Sequence, residues 1–179
     1  MLSRALGRTT LGLLGWRFEG AIPDVPSCVI VVAPHTSNWD FVVGMGAILA
    51  LGLRVHYLGK HTLFRGVLGG LMRWSGGLPV DRAAPGDIIE RVIAVMRESG
   101  RMFLGLSPEG TRRKVERWKT GFHRLARGAG VPIFPVALDY RSRTVRLLPL
   151  FAPSDDVEAD VRVLRSLYAP AMARHPGSF

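Results

Sequence analysis

Apolar residues along this chain come in blocks whose length and periodicity alternate between those of strands and those of helices. CVIVVA, residues 28–33, is an unbroken apolar run of the length of a buried strand. Residues 39–53 are apolar nearly all round, the pattern of a helix covered on more than one side. RVHYLG (54–59) is rich in strand-forming residues, 62–75 is an apolar glycine-rich helix candidate, and GGLPVDR (76–82) is a short strand between breakers. From Asp87 to Ser99, Ile88, Val92, Val95 and Met96 recur at helical spacing, with Gly100 as the stop. RMFLGLS (101–107) predicts a strand and 115–128 a basic helix ending at Gly128. PIFPVALDY (132–140) and TVRLLPL (144–150) predict two more strands, and Val157 to Arg174 a closing helix. With no internal repeat or low-complexity linker, the alternation predicts one α/β domain over residues 1–179, with a largely parallel, mixed central sheet flanked by helices.

In such sheets ligands sit beyond the carboxyl ends of the strands. Three predicted strands run into polar loops there: His35 follows the first, Arg82 follows GLPV, and Glu109 follows FLGL. His35 and Asp40 are five positions apart, which on an ideal helix is a rotation of about 140°, so one helix face cannot hold both. The spacing works with His35 in the loop and Asp40 in the first helical turn, entered through Thr36, Ser37 or Asn38 as N-cap. Asp40 then fixes the imidazole tautomer and leaves the other ring nitrogen free to take a proton. Taken alone, H-x-x-x-x-D fits a plainer reading better: Asp40 complements the helix N-terminus and His35 caps a strand.

SPEGTRRK (107–114) adds a second block. Pro108 and Gly110 force a tight turn that presents Glu109 and Arg112, and an arginine fork suits a phosphate. A polar turn with a surface ion pair is the alternative. Arg82 is a second cation for the same anion, or a surface arginine. The two prolines of VPIFPVALD (131–139) suggest an edge strand or a pocket wall.

Composition narrows the partners. Net charge is +10 with a pI near 11.1, which attracts nucleic acid, anionic lipid or phosphorylated substrates. Hydrophobic content is 47% and mean hydropathy +0.18, high for a small domain and compatible with a membrane-facing surface. No segment reaches the ~18 apolar residues of a spanning helix. Phe41 to Leu53 would cover about 20 Å as a helix, short of a ~30 Å hydrocarbon core. Residues 1–22 are basic and apolar without the unbroken core of a signal peptide. Two readings stand equally: an amphipathic membrane-surface helix, with Leu2, Leu6, Leu13, Leu14 and Trp16 against Arg4, Arg8 and Arg17, or a helix packed on its own domain. RRKVERWKTGFHRLAR, as a helix, gathers Arg117, Arg124 and Arg127 with Lys114 and Lys119 nearby, to meet anionic lipid or the phosphates of a substrate, or simply solvent. FVVGMGAILALGL serves as core, as the wall of an apolar tunnel or membrane-facing groove, or as both. Cys28, the lone cysteine, sits in an apolar run and reads as buried. No Cys/His spacing suggests zinc, so no metal is expected. No helix-turn-helix, RNA-binding aromatic motif or zinc finger supports a nucleic-acid partner.

Taken in order, these blocks resemble the glycerolipid acyltransferases of the PlsC type, the lysophosphatidate (1-acylglycerol-3-phosphate) acyltransferase-like family, in a short bacterial subgroup. The blocks are His35 to Asp40, GGLPVDR with Arg82, Glu109-Gly110-Thr111-Arg112, and Val131 to Val136, across about residues 28–140. Ser107 stands where the family often has an aromatic residue before Pro-Glu-Gly-Thr-Arg. The resemblance implies a glycerol-3-phosphate acyltransferase-like fold and acyl transfer to a lysophospholipid hydroxyl, most readily 1-acylglycerol-3-phosphate. It implies acyl-CoA or acyl carrier protein as co-substrate and no other cofactor. His35 is the implied general base and Asp40 its orienting partner. Arg82 and Arg112 are the implied phosphate ligands, and Glu109, Gly110 and Thr111 complete the substrate site. The same resemblance implies peripheral or monotopic attachment to an anionic membrane at its cytoplasmic face. Neither Ser37 nor Cys28 lies in a nucleophile elbow, in keeping with direct transfer. The rival readings are transfer to another acceptor, an acylated amino acid or a glycolipid, and a non-enzymatic polyanion-binding protein.

Overall fold

The structure, a computed structural model, describes residues 2–80 and 85–179. Its strands are β1 (Arg17–Gly20), β2 (Cys28–Ala33), β3 (Val55–Lys60), β4 (Gly77–Val80), β5 (Phe103–Leu106), β6 (Ile133–Asp139) and β7 (Thr144–Leu147). They form one seven-stranded sheet in the order β1-β7-β6-β2-β5-β3-β4. Every neighbouring pair is parallel except β6 with β7, so the sheet is mixed and largely parallel. The helices are α1 (Leu2–Leu13), α2 (Trp39–Leu51), α3 (Gly66–Trp74), α4 (Pro85–Ser99), α5 (Gly121–Ala129) and α6 (Val157–Ser166).

β2 explains why the sheet holds together. Alternate side chains of this strand face opposite layers: Val29, Val31 and Ala33 join a core with Val92, Met96, Phe122 and Leu164. Cys28 and Ile30 join the other core with Leu11, Val43, Ala47 and Phe134. A strand covered on both faces needs apolar residues at every position, which is why CVIVVA shows no alternation. Burial pushes the Cys28 thiol up to about 12, so it is an inert core residue.

The N-terminal helix takes the packed alternative. α1 lies on α2, with Leu11 buried against Gly46. Gly7 sits so close that a Cβ there would overlap the backbone of Gly46 and Ala50. Leu6 and Leu13 stay exposed on its far side.

Several elements differ from the sequence pattern. β1 was not foreseen; RFEG is short and half polar, and it pairs with β7 while Phe18 packs on the core. The basic helix expected over 115–128 forms only from Gly121. Ahead of it Trp118 turns inward, edge-on to Phe122 and Tyr168, and the Lys119 N–H donates to Pro108 O, so the chain is looped back to the 107–112 turn. Arg117 therefore does not share a helix with Arg124 and Arg127. The 62–75 helix is divided: a 3-10 turn at His61–Phe64, then α3 after an extended Arg65 and a Gly66 at φ 63°. The closing helix stops at Ser166, and a 3-10 turn at Pro170–Met172 replaces its last part. β6 is an interior strand, not an edge, and all seven of its residues are buried. Its proline is tolerated because the Pro135 carbonyl, and so its donor-less nitrogen, faces the β7 side just past Leu147, where that strand has ended.

Filling the α1–α2 contact should be costly. Gly7→Val is expected to lower the unfolding free energy by about 1–3 kcal/mol, the usual cost of overpacking, as read from the urea midpoint at unchanged m-value.

Candidate active site

The carboxyl ends of three adjacent parallel strands, β6, β2 and β5, carry the site. His35 follows β2, the Ser107–Arg112 turn follows β5, and Tyr140 follows β6. Shared strand direction alone brings residues about 100 positions apart to one end of the sheet.

Asp40 is the centre of the arrangement. It lies in the first turn of α2, and its side chain folds back over the loop that leads into the helix. Oδ2 accepts the N–H of Thr36 at 2.7 Å and of Ser37 at 2.8 Å, and stands 3.2 Å from His35 Nδ1. Oδ1 accepts the Tyr140 hydroxyl at 2.7 Å. Asn38 occupies the N-cap position but makes no side-chain cap bond; the Ser37 hydroxyl accepts the Trp39 N–H at 3.2 Å. Burial alone would raise the Asp40 carboxyl, but the hydrogen bonds from His35, Tyr140 and Ser37 outweigh it and hold it below the usual carboxylate range.

An ionised carboxylate facing Nδ1 selects the imidazole tautomer with its proton on that nitrogen and leaves Nε2 as the basic atom. The His35 side chain is 26% exposed against 1% for Asp40, so the carboxylate is sealed and the imidazole is reachable. Both line a cavity of about 1050 Å³. From its mouth the cavity runs between α2 and the sheet, past Gly44, Met45 and Ile48 on the helix and Val32, Val136 and Leu138 on the strands. The apolar run of α2 thus does both jobs open to it: Val43 and Ala50 are core, while Gly44 and Ile48 are cavity wall. β6, with Val136 and Leu138, forms the opposite wall.

The turn after β5 supplies the cationic rim. Gly110, at φ 64°, lets the chain reverse, and a Cβ there would press on the Lys119 side chain at 2.9–3.0 Å. Thr111, Arg112, Arg113 and Lys119 all border the cavity. Arg112 makes no ion pair among the described residues, which leaves its guanidinium available. Lys119 was expected on a helix face; it is the looped segment before Gly121 that carries it to the rim. Arg82 lies outside the described residues.

Glu109 has a different place from its neighbours. Its carboxylate is buried and turned toward the histidine loop: Oε2 accepts the His35 N–H at 2.7 Å and the Ser107 hydroxyl at 3.2 Å. It braces the loop rather than lining the cavity. Burial raises its carboxyl above the usual range, and the two hydrogen bonds only partly offset that. Tyr140 and Arg174 were missed. The Arg174 guanidinium lies 5.1 Å from the Trp39 ring and 5.8 Å from the Tyr140 ring. No local pattern marks either residue, because each acts on a loop far away in the chain.

The lowered Asp40 carboxyl has a consequence for acid stability. A depressed folded pKa stabilises the fold above the unfolded value of ~3.9 and is lost as pH falls through the folded value. Asp40→Asn should therefore cost most stability near pH 7, and the gap from the parent should shrink below about pH 4. Urea unfolding at a series of pH values measures it.

The chain matches known proteins in sequence and in fold. The family model described as Acyltransferase matches residues 21–139. The 1-acyl-sn-glycerol-3-phosphate acyltransferase of Salmonella typhimurium is 32% identical over 124 residues, 66% of this chain and 49% of the relative. That of Escherichia coli is 32% identical over 126 residues, with the same coverage. The chain thus spans about half the length of the curated relatives it matches. In fold it is similar to the crystal structure of the 1-acyl-sn-glycerophosphate (LPA) acyltransferase, PlsC, from Thermotoga maritima, with a TM-score of 0.65 and 20% identity over 93% of this chain and 78% of that one. With a family model spanning His35, Asp40 and the Glu109–Arg112 turn, the chain belongs to the acyltransferase family.

Proposed function

We propose that the protein moves a fatty acyl group from a thioester, acyl-CoA or acyl carrier protein, to a hydroxyl of a lysophospholipid acceptor, 1-acylglycerol-3-phosphate first among them. The observation that carries the reading is the His35–Asp40 pair at the mouth of a largely apolar cavity rimmed by Arg112, Arg113 and Lys119. The apolar length suits an acyl chain and the rim suits a phosphate. The family and the activity for which its relatives are named supply the chemistry that joins them.

In this mechanism His35 Nε2 takes the proton of the acceptor hydroxyl as its oxygen attacks the thioester carbonyl carbon. The C–S bond breaks, the acyl group stays on the acceptor oxygen as an ester, and the leaving sulfur takes the proton back from the imidazolium as a thiol. The buried Asp40 charge stabilises that imidazolium. Base catalysis of this kind is worth roughly 10²–10⁴-fold. The amides of Thr36 and Ser37 are already bound to Asp40, so they are not the oxyanion donors. Cys28, buried with a raised thiol pKa, is no competing nucleophile. Site residues Gly110 and Thr111 border the acceptor end, Arg112 is its phosphate ligand, and Glu109 holds the loop that carries the base.

The same reading seats the protein on a bilayer, at the cytoplasmic face where an acyl thioester is available. Among the described residues no helix is long and apolar enough to cross a membrane. Trp39, Phe41 and Val42, exposed on the first turns of α2 beside Asp40, form an apolar lip close to the proposed chemistry. The net charge of +10 favours an anionic lipid surface.

Two measurements test the proposal. Thiol release from a long-chain acyl thioester should require an acceptor, with lysophosphatidate compared against lysophospholipids, a glycolipid and an acylated amino acid. His35→Ala should lower that rate at least 10²-fold; acceptor-dependent release that survives the substitution refutes His35 as base. Gly44 lines the cavity, and a Cβ there meets nothing within 4 Å. Gly44→Leu should therefore fold at least as well, by about 1 kcal/mol of helix propensity, while shifting the kcat/KM optimum to a shorter acyl chain.

A further inference from the structure

We infer that Tyr140 is a positioning residue for the transfer, acting on His35 through Asp40. The inference rests on the assignment of His35 as base under Proposed function.

A carboxylate has about four lone-pair positions. Three donors are gathered on Asp40 Oδ2: two loop amides and His35 Nδ1. Those three fix one oxygen but leave the carboxylate plane free to turn about it. The Tyr140 hydroxyl, at 2.7 Å from Oδ1, removes that freedom. It is also the one side-chain donor that reaches Oδ1 among the described residues. The hydroxyl further spares Oδ1 the cost of burial without a partner.

The phenol is itself held on every side. Its ring meets Trp16 edge-on, with centroids 4.9 Å apart and planes at 89°. Its backbone N–H donates to Met172 O at 2.9 Å. Arg174 spans the rings of Tyr140 and Trp39, and the next residue, His175, donates its N–H to the Thr36 hydroxyl at 3.2 Å. The C-terminal segment, 170–179, thereby straps the tyrosine and the histidine loop together. Burial, then the hydrogen bond to Asp40 and the charge of that carboxylate, keep the phenol protonated well above its ordinary range, so it remains a donor. A residue with only a packing role would need the ring and not the oxygen, whereas here the oxygen is aimed at the partner of the base.

Tyr140→Phe isolates the oxygen. It keeps the ring, the Trp16 contact and the Met172 hydrogen bond. We expect kcat to fall about tenfold while KM for donor and acceptor stays within about twofold. In protein labelled with ¹⁵N-histidine, the His35 imidazole, assigned by its loss in His35→Ala, should move from the Nδ1–H tautomer toward a tautomer mixture. Arg174→Gln, on the exposed strap, leaves the hydroxyl in place and should move the same resonances the same way by less. It serves as the second variant if Tyr140→Phe folds poorly in a thermal melt. Unchanged imidazole resonances in whichever of these folds, or a change carried by KM with kcat intact, overturns the inference. The spectra are read without turnover. An active His35→Ala enzyme would therefore sink the catalytic assignment, while the Tyr140–Asp40–His35 linkage would still be tested separately.

Discussion

One buried carboxylate sets the geometry of the site. Asp40 closes a loop onto the start of its own helix, orients an imidazole from that loop, and is fixed from across the sheet by a phenol. A buried charge is tolerated only when its lone pairs are filled. Here two of the donors are backbone amides, whose positions are set by the path of the chain between β2 and α2. Loop conformation and imidazole orientation are therefore one problem with one solution: moving Asp40 would release both at once.

The helix that carries Asp40 also builds the cavity, and the two roles act on its sequence differently. Its first turn must be placed to within hydrogen-bond tolerance. Its middle must be thin on both sides. Gly46 admits Leu11 of α1 on one side, and Gly44 leaves room on the other. Each interior glycine costs about 1 kcal/mol of helix propensity. That loss is offset by burial of Val43, Ala47 and Ala50 against the sheet and of α1 on the outer face. Position at one end and space in the middle are obtained from a single element.

Much of this was legible in the sequence because it is local. CVIVVA as a doubly covered strand, Asp40 in a first helical turn, and the Pro108–Gly110 turn after a strand all follow from neighbouring residues. The alternation of elements gives the parallel sheet, and the sheet brings His35 and Glu109 together. What was not legible depends on contacts between distant residues. β1 has too few apolar positions to announce itself and forms because β7 offers an edge. The helix expected from 115 starts at 121 because Trp118 finds a pocket between Phe122 and Tyr168. Arg112 and Lys119 look alike in a basic run, and it takes the reversal at Gly110 and the loop that brings Lys119 back to Pro108 to put both at the cavity rim. Tyr140 is 100 residues from the carboxylate it holds, and no periodicity encodes that.

The two carboxylates of the site show how burial alone fails to decide charge. Asp40 and Glu109 are comparably enclosed, at 4% exposure each, yet their carboxyls are displaced in opposite directions. The difference lies in the donors. Asp40 has both oxygens engaged; Glu109 has one, and Oε1 has no hydrogen-bond partner among the described residues. The His35 N–H needs an acceptor because β2 has just ended at Ala33 and the ladder to β5 no longer reaches it. Glu109 supplies that acceptor from the next strand's turn, at the cost of an under-solvated second oxygen. As pH falls, Glu109 neutralises first. The His35 backbone keeps an oxygen to bond to, while the carboxylate beside the imidazole stays ionised. Glu109 thus holds its part of the loop whether or not it is charged, whereas Asp40, which closes the rest of the loop and orients the imidazole, keeps its negative charge.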